Sequence, residues 1–67
     1  MELSTRNQLK GKVTDVRLGT IMAEVTVDIG GQTVVAAVTR GGVEQLGVEA
    51  GNDVVVLIKA TEVMLGK

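Results

Sequence analysis

Two short segments hold most of this chain's capacity for chemistry: Ser4-Thr5-Arg6-Asn7-Gln8 near the start and Lys59-Ala60-Thr61 near the end. Both are dense in hydrogen-bond donors, and each contains one basic side chain. A tetrahedral dianion needs donors converging from several directions together with positive charge. Backbone N–H groups, Ser and Thr hydroxyls, Lys and Arg meet that need. Each segment also has a plainer reading that stays open at this level. Polar residues near an N-terminus commonly form a loose tail, and a Lys at the end of an apolar strand commonly guards a sheet edge.

Other chemistry is thin. The chain has no His and no Cys, so Ser-His-Asp and Cys-His arrangements and thiolate metal sites are excluded. Glu24 and Asp28 are two steps of a period-two pattern apart and read as a solvated polar face. Gly30-Gly31 and Gly41-Gly42 lack the spacing of phosphate loops and read as turns. The expectation is therefore a binding protein and not an enzyme, with no direct cation ligands. Net charge is −1, from seven Lys and Arg against eight Asp and Glu, and Phe, Tyr and Trp are absent. That balance disfavours a nucleic-acid partner, which would call for basic excess and stacking aromatics.

The elements that must position these donors read as β throughout. From Ile21 to Ile29 the odd positions are apolar, and Glu24, Thr26 and Asp28 are polar, the alternation of a strand with one buried face. Gly30-Gly31-Gln32 supplies a turn, and Thr33–Thr39 returns as a second arm apolar on both faces, to be covered by the core and by a partner. Upstream, Gln8–Leu18 forms a less regular strand with Gly11 at a bend or bulge, and Gly19-Thr20 turns into the next. Downstream, Gly42–Gly47 forms one short helical turn closed by Gly47, with Val43 and Leu46 plugging one barrel end. Gly51-Asn52-Asp53 is a turn, Val54–Lys59 a strand, and Glu62–Leu65 a short final strand with Val63 and Leu65 inward. The predicted fold is all-β: residues 1–67 as a single domain, a small OB-like five-stranded β-barrel with one short helical turn.

At 67 residues, such a chain buries only roughly 60% of the surface its unfolded form exposes. With 45% hydrophobic residues, no disulfide and a mean hydropathy of +0.32, self-association is the route left for covering apolar surface. No apolar run is long enough to cross a bilayer, and residues 1–12 do not read as a signal peptide. A soluble, cytoplasmic protein is expected.

The string Leu3-Ser4-Thr5-Arg6-Asn7-Gln8-Leu9-Lys10-Gly11 resembles the signature Ser-Ala-Arg-Asn-Gln-Leu-Lys-Gly of the molbindin, or Mop, family. This is the TOBE-type molybdate-binding domain also appended to molybdate transporter ATPases and molybdate-responsive regulators. The resemblance continues through Ala23-Glu24-Val25, Val43-Glu44-Gln45-Leu46-Gly47-Val48 and Ile58-Lys59-Ala60-Thr61-Glu62-Val63-Met64, in order along essentially the whole chain. It implies an OB-like barrel assembling as a homohexamer, a trimer of dimers, with molybdate or tungstate held at subunit interfaces and stored in the cytoplasm. It implies no organic cofactor, the older label molybdopterin-binding notwithstanding. Carried over by position, Ser4 and Arg6 are ligands from one side of an interface site, and Thr39, Gly42, Lys59, Ala60 and Thr61 complete it. Thr5 and Asn7 contribute backbone N–H donors or hold the segment's shape.

Two positions depart from the family pattern. Residue 5 is Thr where Ala is common, and residue 42 is Gly where Ser is common, which removes a hydroxyl donor. A lost neutral hydrogen bond is typically about 1 kcal/mol, and more when the acceptor is charged. The alternatives carried forward are a regulatory oligomerisation domain sensing the same anion through a partner, a nucleic-acid-binding OB-fold, and a purely structural hexamer.

Overall fold

The computed structural model describes residues 5–67. Four antiparallel strands form one curled sheet in the order β3-β2-β1-β4, with β1 at Asn7–Leu18, β2 at Met22–Asp28, β3 at Thr33–Thr39 and β4 at Asp53–Ile58. A helix, α1 (Arg40–Leu46), joins β3 to β4.

The long strand β1 serves two neighbours in succession. Its first half pairs with β4, from Asn7↔Ile58 to Lys12↔Asp53, and its second half with β2, from Lys12↔Asp28 to Leu18↔Ala23. The register slips between Val13 and Asp15. This bulge at Thr14 keeps both Val13 and Val16 on the core side, and bulges bend the strand that carries them. At the handover Val13 donates to Asn52 O at 2.9 Å and accepts from Gly51 N at 2.7 Å.

Gly11, expected at a bend or bulge, is a point of close approach instead, and the bulge falls three residues on. A Cβ there would lie 2.5 Å from Val27 Cγ1 and 2.7 Å from Asp28 O.

The alternation read along β2 holds: Ala23, Val25 and Val27 are buried beside Val13 and Val43. Val16, Ile29, Ala36, Val48, Val54 and Val56 pack against that cluster. The turn after β2 uses positive φ at Gly30 (101°) and Gly31 (94°). Asp28 Oδ1 accepts from both their N–H groups, at 3.1 and 2.9 Å, so this carboxylate shapes the turn as well as facing solvent.

Helix α1 starts earlier than Gly42. Thr39 is its N-cap, its Oγ1 accepting from Gly42 N at 3.1 Å, and Gly47 closes it in the left-handed region (φ 65°). Val43 plugs the core, but Leu46 is 80% exposed and does not. In a helix of seven residues only one narrow stripe can face the sheet.

The expected fifth strand at Glu62–Leu65 is absent from the described residues. β4 reaches the end of the sheet at Asn7↔Ile58, and a 3-10 turn at Ala60–Glu62 redirects the chain. Val63 and Leu65, expected inward, are 48% and 96% exposed. The outer faces of both edge strands remain apolar and uncovered, at Val35 on β3 and at Val55 and Leu57 on β4. No helix among the described residues is long and apolar enough to cross a membrane.

Candidate functional site

From Thr5 onward the first donor-rich segment lies beside the second at one end of the sheet. The last rung of the β1–β4 ladder is Asn7↔Ile58, so Arg6 and Lys59 flank it, one on each chain segment. Two side chains fix this end by donating to the same carbonyl: Thr5 Oγ1 to Ile58 O at 2.7 Å and Asn7 Nδ2 to Ile58 O at 3.0 Å. Thr5 and Asn7 therefore hold the segment's shape with their side chains. The Ile58 carbonyl is an anchor that residue types alone did not single out. Its signal was the two-residue spacing of Thr5 and Asn7, which places both side chains on one face of extended backbone.

Directly after the rung, Lys59 is the N-cap of the 3-10 turn but makes no side-chain capping bond. The turn closes through Glu62 N donating to Lys59 O at 2.9 Å. The first N–H groups of a helical turn have no acceptor within it. No backbone carbonyl among the described residues accepts from Ala60 or Thr61. Lys59, Ala60 and Thr61 are all exposed. Ser4 lies outside the described residues.

Charge bears on the same end: of the cations without a carboxylate partner among the described residues, which include Lys10 and Lys67, Arg6 and Lys59 flank one rung. Among the described residues, three ion pairs join Lys12 to Asp53, Arg17 to Asp15 and Arg40 to Glu44. All are surface pairs of the kind that contribute about 0–1 kcal/mol. Among the described residues, neither Arg6 nor Lys59 has a carboxylate within ion-pair distance. Two like charges flanking one rung repel each other mildly, and an anion bridging them turns that repulsion into attraction.

Thr39 and Gly42, the remaining expected site residues, sit elsewhere. Thr39 ends β3 opposite Met22, beside the Leu18↔Ala23 end of β1. The 12 residues of β1 lie between this end and the Arg6–Lys59 end. One chain thus brings Thr5, Arg6, Asn7, Lys59, Ala60 and Thr61 together and leaves Thr39 and Gly42 apart.

At the Thr39 end, Arg40 ties α1 down. Its N–H donates to Ile21 O at 2.8 Å, its Nη1 to Gly19 O at 3.2 Å, and its Nε to Glu44 Oε1 at 2.7 Å.

No group of three or more Asp or Glu side chains converges among the described residues to hold a metal cation. An open groove of about 640 Å³ runs past Lys10, Lys12, Asp28 and Asp53. Its lining is of mixed sign, and Lys12 is already paired with Asp53, so it offers no anion a clear advantage. The arrangement at the Arg6–Lys59 end supplies donors and positive charge, which suits holding an oxyanion.

Comparison with known proteins bears on which oxyanion. Residues 3–65 match the model of the TOBE domain. The chain is 45% identical over 67 residues to a probable molybdenum-pterin-binding protein of Haemophilus influenzae, covering 98% of this chain and 97% of that one. It is 44% identical over 66 residues to molybdenum-pterin-binding protein 1 of Clostridium pasteurianum, covering 97% of each. The structure of a molybdate binding protein from Sporomusa ovata superposes with a TM-score of 0.95 at 39% identity over the full length of both chains.

Proposed function

The chain belongs to the TOBE domain family, and from that membership we infer a molybdate-binding protein. It is a binding protein and no enzyme, in which residues 1–67 act as one oxyanion-binding domain in the cytoplasm. Tungstate, a tetrahedral dianion of nearly the same size, is a second ligand, and the role is storage of the anion. The observation that carries this reading is the pair Arg6 and Lys59, unpaired among the described residues, beside the open N–H groups of Ala60 and Thr61.

The site is completed between chains. Burying a dianion costs many kcal/mol unless charge and donors compensate, and one chain presents only part of the donor set at each end. When the Ser4–Asn7 and Lys59–Thr61 end of one copy meets the Thr39–Gly42 end of another, two chains share that cost. Ligand binding then stabilises the assembly by mass action. A homohexamer built as a trimer of dimers satisfies this pairing and covers the apolar outer faces of β3 and β4. The relatives' names mention a pterin. The inorganic anion is preferred because the chain has no Phe, Tyr or Trp to stack a pterin ring, while the available donors suit oxygen acceptors.

The deciding experiment is calorimetric titration of the protein with molybdate, tungstate, sulfate and phosphate, with native mass measured in parallel. Saturable heat is expected for the first two at micromolar protein, and far weaker binding for sulfate, whose smaller tetrahedron fits a molybdate-sized cavity poorly. Absence of heat with molybdate and tungstate rejects the reading, and binding only in the presence of a pterin replaces it.

Gly42 gives a second, graded test. Its φ is not in the left-handed region, and a Cβ there would meet Thr39 Oγ1 at 3.0 Å, a contact that a small rotation of Thr39 relieves. Gly42→Ser therefore fits the fold, and in the helix it gains about 0.5 kcal/mol of propensity. Its hydroxyl restores a donor, and molybdate affinity should rise several-fold by titration. Unchanged affinity places residue 42 away from the anion.

A further inference from the structure

We propose that Thr5 is a positioning residue of the anion site: its hydroxyl raises the affinity for molybdate by holding Arg6 in place, without itself touching the anion. This rests on the oxyanion reading above and adds to it a residue that acts only through another.

Arg6 stands just beyond the sheet. The β1–β4 ladder ends at Asn7↔Ile58, and among the described residues neither Thr5 nor Arg6 takes part in a backbone–backbone hydrogen bond. A polar segment near a chain end is ordered only where something ties it down. Here three side chains do so. Thr5 Oγ1 donates to Ile58 O at 2.7 Å, Asn7 Nδ2 donates to the same oxygen at 3.0 Å, and Gln8 Nε2 reaches back to donate to Thr5 O at 3.0 Å. Arg6 is therefore bracketed by an anchored residue on each side, with a side-chain bridge across it. Without the Thr5 hydroxyl, the Gln8 bridge ties Thr5 only to its own segment, and the anchor from Thr5 to β4 is gone.

Donor arithmetic separates this role from that of a ligand. A threonine hydroxyl has one hydrogen to donate, and Thr5 gives it to a carbonyl, which can only accept. None remains for an oxyanion. The same bond also clears the site of a rival. A backbone carbonyl has two lone pairs, and Ile58 O, immediately before Lys59, receives two side-chain donors. It then has little left to offer the Arg6 guanidinium or the Lys59 ammonium, which stay available to an anion. Exposure follows the same division: Thr5 and Asn7 are half-buried, whereas Arg6 is exposed.

An arginine on a loose segment must be ordered when the ligand arrives, and that ordering subtracts from affinity. A segment already fixed by Thr5 avoids most of the loss. Residue 5 is Thr where the family pattern commonly has Ala, so this anchor is a feature of the present chain.

The test is calorimetric titration of the assembled protein with molybdate, comparing wild type with Thr5→Val, Thr5→Ser, Arg6→Ala and the Thr5→Val/Arg6→Ala double variant. Valine keeps the branched shape and loses the O–H; serine keeps the O–H. Thr5→Val should weaken binding about fivefold, the scale of one neutral hydrogen bond, and Thr5→Ser should bind like wild type. Thr5→Ala, a smaller change of the same kind, should lose as much as Thr5→Val. In the Arg6→Ala background, Thr5→Val should change affinity less than about twofold, because the group it positions is gone and the two effects are coupled. The salt dependence of Thr5→Val should parallel that of wild type, since every charge is still present.

Wild-type affinity in Thr5→Val, or failure of Thr5→Ser to restore it, overturns the proposal. An undiminished loss in the Arg6→Ala background also overturns it, because the hydroxyl would then act on the anion directly or on the fold at large. Loss of assembly in both Thr5→Val and Thr5→Ala, read by native mass, makes the hydroxyl structural and overturns it too. A wild-type protein that takes up no molybdate overturns the oxyanion reading itself, and the proposal with it.

Discussion

Gly11→Ala should lower the melting temperature by roughly 10–20 °C, whereas Gly41→Ala, the same chemical change 30 positions along the chain, should raise it. At Gly11 the added methyl would stand 2.5 Å from Val27 Cγ1, 2.7 Å from Asp28 O and 3.0 Å from Ile29 Cγ2. One of these atoms is backbone, in the strand that pairs with β1, and Val27 is among the most deeply buried residues. Neither can yield without disturbing the start of the β1–β2 ladder at Lys12↔Asp28. Overpacking of this kind costs about 1–3 kcal/mol. A chain of 67 residues has roughly 3–10 kcal/mol of stability in total, and each kcal/mol corresponds to about 4–8 °C in so small a domain. At Gly41, inside α1, a Cβ meets nothing within 4 Å, so alanine brings only its helix preference, up to about 1 kcal/mol. Differential scanning calorimetry at one fixed protein concentration, necessary because assembly makes melting concentration-dependent, reads both signs. A Gly11→Ala protein melting within 2 or 3 °C of wild type would show that β1 and β2 separate easily at this point.

The contrast between these glycines shows what the sequence could convey. Alternation along Ile21–Ile29 announced a strand and its buried face, because a period of two maps directly onto the two faces of a sheet. Gly30-Gly31 and Gly47 announced a turn and a helix end, because positive φ is a local demand that glycine meets best. Gly11 was noticed as a strand glycine but assigned to a bend or bulge. Its actual cause, the approach of Val27 and Asp28 from a neighbouring strand, is a tertiary contact without a local trace. The bulge falls at Thr14, a residue with no bulge signature of its own. Leu46 was placed in the core because it lies three residues from Val43, and at α1's seven residues the stripe is too short to bury both. The candidate site divides in the same way. Donor density marked its residues, and the family signature joined them. That Thr39 and Gly42 sit at the far end of β1 depends on the order β3-β2-β1-β4, which no spacing in the sequence reveals. The expected fifth strand failed for a related reason: Val63 and Leu65 have the pattern of a strand, but no edge of their own sheet lies beside them.

Removing Arg6 and Lys59, two of the cations without an ion-pair partner among the described residues, should have the largest effect on binding. Arg6→Ala and Lys59→Ala are each expected to weaken molybdate more than tenfold, and the double variant by at least a hundredfold. A hydrogen bond to a charged group contributes about 1.5–3 kcal/mol, and each 1.4 kcal/mol is a factor of about ten. The two losses should not simply add, since both side chains serve one anion and removing either lets the other readjust. The unliganded fold should be indifferent: neither side chain forms an ion pair among the described residues, and both are exposed. Melting without ligand is therefore expected to stay level, or to rise slightly as the like-charge pair is dissolved. With molybdate at about a hundred times its dissociation constant, the wild type should gain about 2.7 kcal/mol and the double variant almost nothing. Ionic strength separates charge from shape. Salt screens exposed charges over about 10 Å at 0.1 M, so added sodium chloride should weaken molybdate binding by the wild type and change the double variant little. Lys12→Ala, which removes a cation already paired with Asp53, serves as the control and should shift affinity less than twofold. Equal losses in the control and at Arg6 or Lys59 would mean that the anion senses only the protein's overall charge, and the site would have to be sought elsewhere.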